Sequence, residues 1–176
     1  PSVSDGFFCG GAVISPTRVV TAAHCSASAS ELDVVVGGSN LDDLRATRIH
    51  VRDVQDLPGP DIFSTDFLPK GDMTILDLDQ PVPNANDPRS VLRVASPTEF
   101  QNFASANDQV RVVGHGQAVP DGNSENGLKE ADLDVVGDSD CESAYANTPY
   151  GPFSIFADDQ ICAKSQAASP ADSSRS

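Results

Sequence analysis

Basic residues are scarce in this chain of 176 residues. Eleven Lys and Arg face 26 Asp and Glu, a net charge of -15, and a surface of that sign repels phosphate backbones and anionic lipid headgroups. Neither nucleic acid nor a membrane surface is an expected partner. Long apolar runs are missing too: no uninterrupted stretch approaches the roughly 18–20 residues of a spanning helix. The start, Pro1 to Asp5, has neither the basic opening nor the apolar centre of a signal peptide, so whatever directs the protein is expected outside the chain. Cys-x-x-Cys does not occur, and no two of His24, His50 and His115 lie within five positions of each other. The usual zinc spacings are therefore absent, and neither a metal nor a cofactor is expected.

What is present points to an all-β protein. With 39% hydrophobic residues the chain can bury a core, while 13 Gly and 13 Pro scattered along it cut the apolar runs into pieces too short for long helices. Gly11 to Ile14, Arg18 to Ala22, Leu32 to Val36 and Met73 to Leu78 are rich in Val, Ile and Leu and are bounded by Gly, Pro, Asn or Asp. They are predicted as strands, and strand signals resume at Gln109 to Val113, Leu133 to Val136 and Gln160 to Ala163. Between the two groups, Pro81 to Pro83 and Asn84 to Pro88 hold helix breakers and no bulky apolar residue, so a linker is predicted over 81–98. That arrangement gives a first β unit over 1–80 and a second over 99–176. One helix is predicted at Cys141 to Tyr145, with Ser139 and Glu142 in the spacing of a capping box. Residues 165–176, almost all small or polar, are predicted as a surface loop or frayed end.

The four cysteines, Cys9, Cys25, Cys141 and Cys162, permit three pairings. The local one, Cys9 with Cys25 and Cys141 with Cys162, closes loops for which chain entropy predicts about 3 kcal/mol each. It is favoured, together with an oxidising, secreted setting; the alternative is four buried free thiols.

The chemistry concentrates in Cys9-Gly10-Gly11-Ala12-Val13-Ile14 running into Val19-Val20-Thr21-Ala22-Ala23-His24-Cys25. A histidine here follows an apolar strand and adjoins one end of a candidate disulfide, which would hold the imidazole on the rigid platform a general base needs. Further on come Gly71-Asp72-Met73-Thr74-Ile75-Leu76-Asp77-Leu78, Pro81-Val82, Val112-Val113-Gly114-His115-Gly116, and Asp159-Gln160-Ile161-Cys162-Ala163. In this order, over residues 7 to 163, these blocks resemble the trypsin and chymotrypsin-like serine proteases. The resemblance implies two antiparallel β-barrels, the second truncated, with the active site between them. It implies acyl transfer, with His24 as general base and Asp72 as the carboxylate that orients it, and it matches both local disulfides to family bridges. The implied partner is a protein or peptide substrate, and the implied state a monomer outside the cell.

The departures are equally specific. The family's nucleophile lies in Gly-Asp-Ser-Gly-Gly-Pro, and no serine of residues 1–176 stands in that setting. Gly137-Asp138-Ser139-Asp140 lacks the glycines and would put a negative charge where an oxyanion must be stabilised, so Ser139 is read as a helix cap. The Ile-Val-Gly-Gly start of the family is also absent, and the chain is expected to be a piece that is inactive alone. His115 replaces the usual Trp and is expected to pack near the linker; His50 is expected to be structural. In the loop from Gly38 to Thr47, Asp42 and Asp43 are present, but Gly38 and Arg45 stand where calcium-binding members align glutamates, so no calcium site is expected. Cleavage specificity is not legible. The rival function is a catalytically inactive homologue used as a binding module.

Overall fold

A computed structural model describes residues 7–26, 28–40, 42–43, 45–56, 72–103, 108–115, 127–146 and 161–165. The strands among them are β1 (Ala12–Ser15), β2 (Arg18–Thr21), β3 (Asp33–Val36), β4 (Thr47–Asp56), β5 (Thr74–Leu78), β6 (Gln109–Gly114), β7 (Lys129–Val136) and β8 (Cys162–Ser165). Two helices accompany them, α1 (Pro97–Phe103) and α2 (Asp138–Tyr145), with short 3-10 turns at Ala23–Cys25 and Ala29–Glu31. The chain divides into two compact units, Pro1–Val94 with Gly114–Lys129, and Ala95–Val113 with Glu130–Ser176.

In the first unit the five strands form one antiparallel sheet in the order β1-β2-β5-β4-β3. Strand β5 lies at its centre, and Thr74, Leu76, Asp77 and Leu78 along it are all buried. Val19, Leu32, Ile49, Val51, Leu76, Leu78 and Val82 make a single apolar cluster. Residues 81–94 are laid on this unit rather than hanging free of it: Val82 is in the cluster, its N–H donates to the Pro16 carbonyl (2.8 Å), and the Leu92 N–H donates to the Val13 carbonyl (2.8 Å).

Strand β4 is ten residues long, and the sequence shows only its Ile49-His50-Val51 stretch as strand-like. The reason is a bulge. Val51 pairs with Leu78 and Asp53 with Asp77, so one extra residue enters β4 and inverts the alternation. Ile49 and Val51 face the core before the bulge, and Val54, three positions on, packs against it afterwards. A period-two reading loses the strand at that point.

The second unit holds a three-stranded sheet in the order β6-β7-β8, in which β7 and β8 pair antiparallel from Leu133 with Ser165 to Val136 with Cys162. Strand β7 begins four residues before its expected start. Strand β8 runs from Cys162 to Ser165, later than expected; the expected start at Gln160, and the tail beyond Ser165, lie outside the described residues. Helix α2 begins earlier than expected, and Ser139 is not its cap: Gly137, in extended conformation, is the N-cap residue and no side chain caps the helix. Ser139 sits in the first turn, where its carbonyl accepts from the Ser143 hydroxyl (2.7 Å), and Asp138 and Asp140 complement the helix dipole there. The capping box is instead at α1, a helix absent from the sequence reading. The Ser96 N–H and hydroxyl both donate to Glu99 Oε2 (2.9 Å each), and the Glu99 N–H donates back to Ser96 Oγ (3.3 Å). Pro97 follows at the first helical position, where a missing N–H costs nothing.

Substitutions at these two kinds of position should differ in size. Ile49→Ala, at a site with no solvent exposure, is expected to cost about 2–5 kcal/mol, and Ser96→Ala about 1 kcal/mol, both read from urea unfolding monitored by circular dichroism. Equal losses would contradict the placement of the core.

Candidate active site

The site is built by one strand pairing. Strands β2 and β5 pair antiparallel with Thr21 opposite Thr74. Continuing that register two places past the end of β2 sets Ala23 opposite Asp72. Residues 48 positions apart in sequence are thus brought together by backbone pairing before any side chain is considered.

Strand β2 and the segment after it are held from three directions. Cys25 is bridged to Cys9 with a Cα–Cα distance of 6.1 Å. The Thr21 hydroxyl donates to the Gly10 carbonyl (2.8 Å). Gly11 lets the strand start approach β2 closely, because a Cβ there would lie 2.8 Å from Val19 Cγ1 and 2.9 Å from the Val20 carbonyl oxygen. Only a residue without a side chain fits there, which accounts for the second glycine of Cys9-Gly10-Gly11, while a Cβ at Gly10 would meet nothing within 4 Å. Cys141 and Cys162 are bridged in the second unit, with a Cα–Cα distance of 6.3 Å.

His24 lies in the 3-10 turn Ala23–Cys25 and makes two bonds to one carboxylate. Its N–H donates to Asp72 Oδ1 (2.8 Å), and its ring Nδ1 meets Asp72 Oδ2 at 2.6 Å. A carboxylate is acceptor-only, so the Nδ1 position carries the proton and the other ring nitrogen is left free to accept. Exposure divides the pair: the His24 side chain is 66% exposed and that of Asp72 15%. Burial alone would push the Asp72 carboxyl up. The hydrogen bond from the His24 ring, the His24 N–H, the charge interaction with His24 and the Ala23 N–H together outweigh it, and the group is held below the ordinary carboxylate range.

Other sequence candidates lie elsewhere or are occupied. Potential ligand atoms of Cys9, His24 and Cys25 lie within 4.8 Å of one another, but the two sulfurs are bonded to each other and only the imidazole remains as a donor. His50 lies on β4 and pairs with Asp33 (3.1 Å), which also accepts from Arg48 (3.0 Å). His115 packs edge-on against Phe7, with ring centroids 5.7 Å apart. Asp43 is bound by the Arg45 guanidinium (2.9 Å). Sequence reasoning missed Ser26, whose hydroxyl donates to the Ala23 carbonyl (2.6 Å). It opens a run of alternating Ser and Ala that carries no local signal, and only its spacing of three after Ala23 hints at a turn contact.

The sequence profile of the family described as Trypsin matches residues 2–173. The chain belongs to the trypsin family. Similar relatives include brachyurin of Leptuca pugilator, 25% identical over 163 residues, with 91% of this chain and 64% of brachyurin covered. Granzyme B(G,H) of Mus musculus is 32% identical over 139 residues, covering 79% of this chain and 53% of the granzyme. Among solved structures, a scabies mite protein described as an inactivated protease paralogue superposes with a TM-score of 0.69 at 19% identity, covering 89% of this chain and 63% of that one. This trypsin-family chain therefore spans between half and two thirds of the length of these relatives. Its fold is the all-β chymotrypsin-like one expected from the sequence.

Acid should weaken the His24–Asp72 pair. Because the folded-state value of Asp72 is lowered, its contribution to stability is complete above the unfolded carboxylate value of about 3.9. It is lost as pH falls through the lowered folded value. Asp72→Asn is expected to cost about 2 kcal/mol near neutral pH, with the gap to the parent closing below about pH 4, as read from thermal unfolding between pH 7 and pH 2.

Proposed function

We propose that the whole protein is a serine endopeptidase of extracellular setting, working as a monomer on protein or peptide substrates without a cofactor. The observation that carries this reading is the two-point hold of Asp72 on His24. In it a half-buried carboxylate fixes the imidazole by its main-chain N–H and its Nδ1, leaving Nε2 to act as general base. The nucleophilic serine belongs to a segment that residues 1–176 do not contain. His24 takes the serine proton as the hydroxyl attacks the substrate carbonyl and returns it to the leaving amine. Asp72, kept ionised by its three donors, stabilises the imidazolium formed between those steps. Three supports converge: the family membership, the order of the sequence blocks, and the burial of Asp72 beneath an exposed imidazole, which suits a base that must reach a substrate on one side only.

The test uses a serine-directed fluorophosphonate probe on the 176-residue chain and on a form extended through the Gly-Asp-Ser-Gly-Gly-Pro segment with a matured N-terminus. The long form is expected to label and to cleave peptides, and its His24→Ala variant to lose about 10⁴-fold or more in kcat. The short chain is expected to do neither, since it has no acyl acceptor and no oxyanion donors beside one. Labelling of the short chain would refute the absence of the nucleophile. A folded long form that neither labels nor cleaves would favour the inactive binding homologue.

A further inference from the structure

We propose that Ser26 is a positioning residue for the His24–Asp72 pair, acting through the Ala23–His24 peptide group. This deepens the reading of His24 as general base and rests on it. The carbonyl of Ala23 and the N–H of His24 are the two ends of one rigid amide plane. At its oxygen end, that plane accepts from the Ser26 hydroxyl (2.6 Å) and from the Ser26 N–H (2.8 Å). At its nitrogen end, it donates to Asp72 Oδ1 (2.8 Å). Two donors converging on the oxygen polarise the amide and strengthen the bond it donates, as in any hydrogen-bonded chain. The peptide is therefore held along the line that joins Ser26 to Asp72, and its tilt sets where Oδ1 sits.

Orientation of the imidazole follows from orientation of the carboxylate. Asp72 Oδ2 meets His24 Nδ1 at 2.6 Å, so rotation of the carboxyl group about its own axis would break the ring contact and the main-chain contact together. The Ala23 N–H adds a third donor, and the successive N–H groups of Ala23 and His24 form a small concavity around the carboxylate. Ser26 closes the far side of the same turn. It is half-buried, and its hydroxyl is turned inward onto the Ala23 carbonyl. An ordinary local turn bond would make the same contact and leave Asp72 untouched. The difference here is that the accepting carbonyl shares its amide with the donor that holds Asp72.

Two readouts on the 176-residue chain, each compared between the parent, Ser26→Ala and Ser26→Thr, and one on the extended protein test this. In Ser26→Ala the His24 main-chain amide is expected to exchange its hydrogen about five-fold faster, while the amides of Ile49 and Leu76 keep their rates. The Asp72 carboxyl carbon is expected to titrate closer to an ordinary carboxylate. Ser26→Thr, which keeps the hydroxyl, is expected to restore both. In the extended protein, Ser26→Ala should lower kcat about five-fold with KM unchanged. Uniform acceleration of all amides would reduce Ser26 to a structural residue, and an unchanged His24 amide would overturn the proposal outright. Should the extended protein fail to react with the fluorophosphonate, the protease reading falls, while the exchange and titration results still decide the role of Ser26.

Discussion

Pairing of β5 on both edges is the constraint from which the site follows. A central strand flanked by β2 and β4 has both rows of its backbone groups committed, and Leu76 and Leu78 are packed into the apolar cluster. The strand cannot slip by one residue without turning its buried set outward. Asp72 lies two residues before that strand begins, and the His24 turn lies just past the end of its β2 partner. The precision of the His24–Asp72 contact is thus inherited from a backbone register, and the Cys9–Cys25 bridge needs only to hold the segment beyond β2 in place.

That same strand carries a carboxylate that needs compensation. Asp77 is buried, and the register sets it opposite Arg18 on β2 and opposite Asp53 on β4. Like charges facing each other across a ladder repel, and an unpaired buried carboxylate would cost several kcal/mol. Arg18 Nε donates to Asp77 Oδ1 (2.9 Å), and the Gln55 amide donates to Oδ2 and also reaches toward Asp53 (3.5 Å). The bulge falls at this point: without it Arg52 would stand opposite Asp77, and with it Asp53 does, so Gln55, two places on along the same face of β4, bridges the two acids.

Legibility in the sequence tracked locality. The short strands β2 and β5 show within a residue or two, because each carries a compact run of Val, Ile or Leu between turn-forming neighbours, Val19-Val20 in one and Ile75-Leu76 in the other. Strand β4 does not, since its alternation reverses at Arg52-Asp53. The two helices separate on the same ground. Ser139 and Glu142 have capping-box spacing without capping geometry, whereas Ser96 and Glu99 have both but straddle the end of the stretch, 81–98, that composition marks as linker. The contact between His24 and Asp72 was legible from the ordered motif blocks alone, because nothing within either segment states that residues 48 apart will meet. Ser26 was not legible: its role depends on which peptide its hydroxyl faces, and that is a property of the folded turn.

Charge sets the final condition on the pair. In a chain of net charge -15 any carboxylate sits among others of its own sign, although salt screens that background beyond about 8–10 Å. Among the described residues, most acids with a lowered value are answered by arginine, as in Asp43 with Arg45, Asp87 with Arg89 and Asp132 with Arg111. These are exposed, screened contacts of small energetic weight. Asp72 is held differently, by one imidazole and the N–H groups of Ala23 and His24. A guanidinium in that position would neutralise the carboxylate permanently and leave it little field to offer a neighbouring cation. Peptide dipoles lower the cost of the charge without cancelling it, so Asp72 can stay ionised while its negative field remains available to an imidazolium at His24.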